Sequence, residues 1–420
     1  MEGILFPRGV VEGREGLEAY KTRAGYSALE RVLKEWSPEK VIEELSASGL
    51  RGRGGAGFPT GKKMAITREC AEQPHYVVLN GGEDEPGSKK DRLLMENLPH
   101  LVIEGVILAA YAVGAPKTHL YINGLYKDAA QSMADALAEA RQAGYWGDRI
   151  LDSDFSLELV QNTAPPNYVA GEDSAALEVL EGKKPVPRQK PPFPAASGLF
   201  SKPTAVYNVE TLANISPIIS RGAKWYRTLG TAESPGTMIF SLNEEVKNPG
   251  IYELPFGTPL RSLIEDCGGG LKEQKKIKAI QPGGPSSGFL TPDRMDLALD
   301  HLSLRDAGSS IGCGVVHLLA EGECLVEETL RTAEFFLRES CDQCPACRME
   351  TNMLAIMLKK VQGGQGEKAL LDQFSKVISF NRGKGYCNLI NMPGPPIESA
   401  LSLFRSDFEA HLEKGACPEN

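Results

Sequence analysis

The sequence predicts an α/β chain that passes into a small α+β domain and ends in a helical bundle, and three observations carry that reading. First, short strand-like runs alternate with long helical ones: YVVLN at 76–80 and THLYIN at 118–123 read as buried strands, and 91–113 and the Ala-rich 127–143 as helices. Such alternation is the pattern of a layered α/β structure. Second, beyond about 236 the character changes, and TMIFSLN, NPGIYELPFGTPL and KIKAIQPGG read as short strands with turns around one helix at 259–266. Third, from Cys324 onward helical periodicity dominates, at 324–340, 348–361, 367–380 and 396–413, as expected of a bundle. The expected division is therefore 1–235, 236–322 and 323–420.

Ahead of the first strand, residues 26–50 carry helical periodicity, with Ser37-Pro38 punctuating two helices. The proline-dense stretch 185–203 reads as an ordered, extended loop. At 420 residues the chain has room for two to four domains. The balance of 46 Lys and Arg against 55 Asp and Glu gives a net charge of −9, which argues against a nucleic-acid surface. The first sixteen residues have no basic start leading into an apolar stretch, so no secretory signal is expected. The longest apolar run, Val102 to Ala115, is interrupted by Glu104 and too short to span a bilayer, and reads as a buried helix. No direct membrane span is expected.

Nine cysteines in a chain this large do not suggest a disulfide framework, and a reducing, cytoplasmic compartment follows. Their distribution carries more. Cys341, Cys344 and Cys347 form C-x2-C-x2-C, and Cys387 stands alone 40 residues on. A triplet on one loop plus a distant fourth thiolate suits the corners of a 4Fe–4S cube. Zinc also takes four thiolates, but its usual arrangement is two C-x2-4-C pairs; free thiols near a helix start are the third alternative. Arg348 either hydrogen-bonds near an anionic cluster or simply begins a helix. Cys417, in the terminal tail, reads as a bystander.

Five glycines fall between positions 52 and 61 in GRGGAGFPTG, followed by Lys62 and Lys63. Bare backbone lets N–H groups approach a phosphate closely. The segment is neither G-x-G-x-x-G nor a P-loop, so on its own a flexible surface loop fits it as well. Asn80-Gly81-Gly82-Glu83-Asp84-Glu85-Pro86-Gly87 then closes the first strand, the end where α/β folds bind ligands, although a solvated acidic turn has the same composition. Gly171-Glu172-Asp173 and Asn208-Val209-Glu210-Thr211 are uninformative singly.

Taken together and in order, RGRGGAGFPTGKK, NGGEDEPGSKKDR, GEDSAALEVLEGK, KPPFPAASGLFSKPT, YNVETLANI and SCDQCPACR resemble the FMN- and NADH-binding subunit of respiratory complex I. That family includes the flavin subunits of NAD-linked formate dehydrogenases and hydrogenases. The likeness covers about residues 26–415. It implies a Rossmann-like flavin domain, a ubiquitin-like β-grasp domain and a four-helix bundle carrying a 4Fe–4S cluster on Cys341, Cys344, Cys347 and Cys387. It further assigns Gly52, Gly54, Lys63, Asn80, Glu83, Gly171, Glu172 and Asn208 to FMN. To the nicotinamide nucleotide it assigns the Gly55 backbone, Phe58, Glu85, Asp173, Lys190 and Phe193. Glu85 against a ribose would repel a 2′-phosphate, which favours NADH. The chain departs from the family pattern at Ile66, Gly82, Asn123, Leu125, Asp173 and Tyr207.

The resemblance implies an NADH dehydrogenase flavoprotein subunit, taking a hydride at FMN and passing single electrons to the cluster. No acid–base residue is needed for a direct hydride transfer. The expected partners are a thioredoxin-like 2Fe–2S subunit and further iron–sulfur subunits, through which the chain would lie peripheral to a membrane complex. Two alternatives stand beside it: a flavin subunit of an electron-bifurcating or other non-quinone complex, and a metal-holding scaffold with a degenerate flavin site.

Overall fold

The computed structural model describes residues 3–6, 13–415 and 417; much of the N-terminal stretch in which no secretory signal is expected lies outside them. The chain forms two compact units. One comprises Met1–Asp84, Ser88–Ile239 and Glu253–Gly257, the other Glu85–Gly87, Phe240–Tyr252 and Thr258–Asn420.

In the first unit, helices α1 (Ser27–Glu35) and α2 (Pro38–Ser48) are separated where the sequence indicates. The Ser37 hydroxyl accepts from the Lys40 N–H at 3.3 Å, and Pro38 occupies the first turn, where it sacrifices no hydrogen bond. The glycine-rich loop leads into α3 (Thr60–Glu69). Strands β1 (Tyr76–Gly81), β2 (Lys117–Asn123), β3 (Glu158–Ala164) and β4 (Thr204–Asn208) form a parallel sheet in the order β3-β2-β1-β4. The chain steps outward from β1 to β2 and β3, then returns to the other side of β1. The carboxyl ends of β1 and β4, with Asn80 opposite Asn208, therefore flank a topological switch point.

The expected single helix at 91–113 is two, α4 (Lys90–Asn97) and α5 (Pro99–Val113), meeting at 100°. Pro99 keeps Leu98 out of the helical region, at φ −124° and ψ 48°, and then starts α5 itself. Every residue of α5 but Tyr111 is buried. Glu104, at its centre, accepts hydrogen bonds from Tyr20 Oη, Ser216 Oγ (2.7 Å) and the N–H groups of Tyr26 and Leu29 (both 3.1 Å). Among the described residues no single helix is long and apolar enough to cross a membrane. Helices α6 (Lys127–Gln142), α7 (Asp173–Leu180) and α8 (Val209–Ala213) complete the elements that position the site.

The second sheet contains β5 (Thr237–Leu242), β6 (Gly250–Pro255), β7 (Ile277–Gln281) and β8 (Val315–Ala320), in the order β6-β5-β8-β7. First and last strands are parallel neighbours, Ser241 opposite Val315, and β7 runs antiparallel to β8, as in a β-grasp. The helix expected at 259–266 is largely a π-helix, Ser262–Cys267. Strand β8 escaped sequence reading because VVHLLA runs almost directly into the helical pattern after it.

The bundle comprises α9 (Leu325–Glu339), α10 (Pro345–Gln362), α11 (Leu371–Asn381), α12 (Gly394–Leu403) and α13 (Arg405–Lys414). The single helix expected at 396–413 is thus broken, at Phe404 (φ −131°, ψ 34°). Leu325, Leu330, Leu354, Leu358, Phe374, Ile378, Ile397 and Phe408 fill its core.

His317 on β8 stands between two carboxylates, Glu245 at 3.4 Å and Glu328 of α9 at 3.3 Å. Burial alone would favour neutral imidazole, but the two carboxylates win and raise its pKa to about 10. A pKa raised above the unfolded value of about 6.5 contributes stability that is complete below that pH and disappears as pH rises through about 10. His317→Gln is expected to cost about 1–3 kcal/mol at pH 6, with the deficit shrinking toward pH 10, in urea melts across that range.

Candidate functional site

The glycine loop is closed at its neck by hydrogen bonds from Gly52 N–H to Phe58 O and from Thr60 N–H to Leu50 O, both 2.9 Å. Arg53 anchors it from within. Its side chain is buried, its Nη2 donates to Tyr226 Oη at 2.9 Å, and its N–H donates to Thr211 Oγ1 at 2.9 Å. Gly54 and Gly55 are left exposed at the tip, and Gly55 has φ +101°, which a side chain would resist.

This tip lies against the end of β4, where a methyl group on Gly54 would stand 3.2 Å from Asn208 Cβ. At the end of β1, Asn80 Nδ2 donates to the Gly171 carbonyl at 2.8 Å. A methyl group on Gly171 would in turn lie 2.7 Å from the Gly82 carbonyl oxygen. Three loops far apart in sequence thus converge on the carboxyl ends of β1 and β4 with bare backbone between them.

Lys63, on α3, donates to Val206 O at 2.9 Å and lies 5.3 Å above the Tyr207 ring and 5.9 Å from that of Phe58. Burial lowers its pKa, against the pull of Asp173. Glu172 caps α7, accepting from Ala175 N–H at 2.9 Å, and with Asp173 it clasps the Lys190 ammonium. Burial works against that charge, and the two carboxylates hold the Lys190 pKa above its ordinary value.

Glu83 faces elsewhere. Its carboxylate accepts from Ser88 Oγ and from the N–H groups of Asp91 (3.3 Å) and Arg92 (3.2 Å), capping α4, and burial pushes its pKa up to about 7. Its carbonyl takes hydrogen bonds from Asn123 Nδ2 (2.8 Å) and Tyr126 Oη (3.0 Å). Phe58 and Phe193 are exposed, at 41% and 60%. Glu85 belongs to the second unit, where its carboxylate lies beside Gly284.

In that unit, Ser340 ends α9, and Cys344 is the N-cap of α10, which holds Cys347 in its first turn. Arg348 is exposed, and its N–H donates to Cys344 O at 3.0 Å within the first turns of α10. The Tyr386 N–H donates to Cys344 Sγ at 3.3 Å, which brings the Cys387 segment to the triplet. Burial pushes the Cys347 thiol up to about 11 and raises that of Cys341, so ionisation here calls for a bound cation. Among the described residues the donors gathered within 4.8 Å of one another are Cys324, His411 and Cys417, not this set. A loop triplet joined by a distant fourth cysteine is the arrangement that suits a 4Fe–4S cube.

Residues 45–217 match the Nuo51 FMN-binding domain, 244–290 the SLBB domain, and 327–411 the NADH-ubiquinone oxidoreductase-F iron–sulfur binding region. The chain is 40% identical over 402 residues to the NADH-quinone oxidoreductase F 2 subunit of Rhizobium meliloti strain 1021, covering 96% of both chains. The chain belongs to the family of NADH-quinone oxidoreductase F subunits. A second member, the F subunit of the Escherichia coli K12 NADH-quinone oxidoreductase, is 38% identical over 95% of this chain and 90% of its own. Among solved structures, an NAD+-reducing [NiFe]-hydrogenase in the H2-reduced state superposes with a TM-score of 0.83 at 30% identity, over 97% of this chain and 69% of that one.

Within this F-subunit framework the glycine-lined crevice fits a flavin phosphate, since Cβ atoms at Gly54 or Gly171 would crowd it. The Gly82 departure has a local counterpart in the buried Tyr121, whose ring would lie 3.1 Å from a Cβ there.

Sequence reasoning missed the groups beneath the crevice. Lys90, fully buried, pairs with Asp91 at 2.7 Å and Glu210 at 3.2 Å and donates to Asn208 Oδ1 at 3.2 Å. Asn208 Nδ2 donates to Asp91 Oδ2 at 2.5 Å, and Glu210 accepts from Ile239 N–H at 2.8 Å. Desolvation opposes the Lys90 charge, but its carboxylate neighbours raise its pKa far above the ordinary lysine range. The residues stand in KKDR and NVET, where nothing local marks the charged side chains as buried. Glu350, one turn beyond Cys347, was missed too; it is buried with neither carboxylate oxygen hydrogen-bonded. Lys90→Met is expected to cost about 3–5 kcal/mol by stranding two buried carboxylates, and Lys90→Met/Glu210→Gln to recover part of it, in equilibrium unfolding.

Proposed function

We propose that this chain oxidises NADH at FMN held in the crevice between β1 and β4, and delivers the electrons singly to a 4Fe–4S cluster on Cys341, Cys344, Cys347 and Cys387. The observation that carries the reading is the pairing, in one chain, of a glycine-lined switch-point crevice with the Cys341, Cys344 and Cys347 loop, to which the Tyr386 N–H brings the Cys387 segment. FMN, when bound, supplies the chemistry that accepts a hydride and returns its two electrons one at a time.

The chain's own residues position and screen. The exposed backbone at Gly54 and Gly55 would meet the flavin phosphate, with Gly52 closing the neck of the loop beside it and Lys63 behind it. Asn80, Gly171 and Asn208 would hold the remainder, and Glu83 would act by fixing the loop after β1. Phe58 and Phe193 offer aromatic faces for the planar rings of the nucleotide. Lys190, already clasped by Glu172 and Asp173, would orient its polar groups, and Glu85 would take its ribose. The division 1–235 for flavin and nucleotide, 236–322 for the β-grasp and 323–420 for the cluster follows the same reading. Since the relatives are named as subunits, the chain would work within a hetero-oligomeric oxidoreductase, beside a thioredoxin-like 2Fe–2S subunit and other iron–sulfur subunits. Its place would be cytoplasmic, with any membrane reached only through those partners.

The protein purified without oxygen is expected to carry stoichiometric flavin whose absorption bleaches on adding NADH; a colourless, zinc-loaded protein would overturn the proposal. Cys344→Ser should remove the reduced-cluster EPR signal and leave flavin bleaching intact. Gly171→Ala should do the reverse, weakening FMN retention about tenfold or more, measured by equilibrium dialysis.

A further inference from the structure

A second set of sulfur and nitrogen donors lies in the bundle, made of residues outside the four proposed cluster ligands. Cys324 is the N-cap of α9, and its Sγ accepts from the Glu327 N–H at 3.4 Å. The His411 Nε2 of α13 lies 3.2 Å from that sulfur. The other ring nitrogen, Nδ1, is 3.2 Å from the carbonyl oxygen of Gln362 at the end of α10. A carbonyl can only accept, so Nδ1 carries the proton and Nε2 presents a lone pair toward Cys324. This is the arrangement that orients a histidine for a metal: one nitrogen fixed by a backbone acceptor, the other free to coordinate.

The third donor comes from the tail. Gly415, at φ +66°, turns the chain at the end of α13 and packs so closely on Gly364 that a methyl group there would meet its Cα at 2.8 Å. The turn returns Cys417 to the bundle, where it is buried. Cys324 Sγ, His411 Nε2 and Cys417 Sγ all lie within 4.8 Å of one another. Donors around a tetrahedral zinc, with Zn–S of about 2.3 Å and Zn–N of about 2.0 Å, stand roughly 3.5–3.8 Å apart, so small side-chain adjustments suffice.

We propose that Cys324, His411 and Cys417 bind one zinc ion that fastens the C-terminal tail to the start of α9. Binding releases the two thiol protons, and two thiolates with one neutral imidazole cancel the charge of a divalent ion, which suits a site this buried. Cys324 is the least buried of the three, which leaves the fourth position to water. The ion transfers no electrons; it joins the beginning of the bundle to its end.

The test measures zinc and iron together by mass spectrometry on the cluster-loaded protein and on Cys417→Ser and His411→Gln, each dialysed against EDTA-free, zinc-containing buffer and then desalted. About one zinc per chain in the parent, lost in both variants with iron unchanged, is the expected result. Tryptic release of the tail should be faster in Cys417→Ser than in the parent. Zinc absent from the folded, iron-loaded parent would overturn the proposal. So would zinc retained in both variants, which would place it at other ligands. A Cys324–Cys417 disulfide found by thiol titration and peptide mapping would overturn it as well. Cys417→Ser alters only the tail, so it decides the matter even if His411→Gln fails to fold.

Discussion

The Lys90 ammonium is the constraint on which the crevice depends. A lysine with 1% of its surface exposed has surrendered nearly all its hydration, and only closely placed carboxylates can offset that loss. Asp91 and Glu210 provide them, and Asn208 bridges the pair. Each partner belongs to a different approach to the site: Asp91 to the first turn of α4, Asn208 to the end of β4, Glu210 to α8. An ion cluster of this kind tolerates little displacement, because a shift that opened one pair would leave a charge in a medium that cannot solvate it. The flexible-looking glycine loop therefore rests on a rigid floor, and Arg53, buried beneath the loop, ties it to Thr211 and Tyr226 by the same logic.

Two sets of thiols in the second unit are distinguished by spacing. Cys324 and Cys417 gather with His411 as donors to one ion would. Cys341, Cys344 and Cys347 are strung along a loop and the first turn of α10, and the Cys387 segment reaches Cys344 through the Tyr386 N–H. A triplet C-x2-C-x2-C announces itself in sequence, whereas a cysteine at 324, a histidine at 411 and a cysteine at 417 do not.

Most of what was legible in the sequence was local. The strands YVVLN and THLYIN, the Ser37-Pro38 helix start and the cysteine loop are each specified by neighbouring residues. What eluded reading depended on contacts across the fold. The segment YNVETLANI, uninformative taken alone, is the end of β4 followed by α8, and its strand part is set by pairing with β1. Lys90, Asp91 and Glu210 look like surface charges in sequence, and only the folded sheet buries them together. The break at Leu98 was readable from Pro99, but helical patterning continues on both sides of it. Cys417, a bystander by its position in the tail, gains meaning only from the turn at Gly415.

Glu104 has a bearing on how α5 finds its seat. A helix buried on nearly every side offers no amphipathic stripe to say which way it should face, and an apolar cylinder can rotate or slide by a residue with little change in buried area. One carboxylate at its midpoint removes that freedom. Tyr20, Tyr26, Leu29 and Ser216 can all donate to it in one rotational setting only, and any other setting would leave a buried charge facing hydrocarbon. Glu104 thus serves α5 as a key serves a shaft, giving a featureless rod a single angular position from which β1 and the strand ends it supports take theirs.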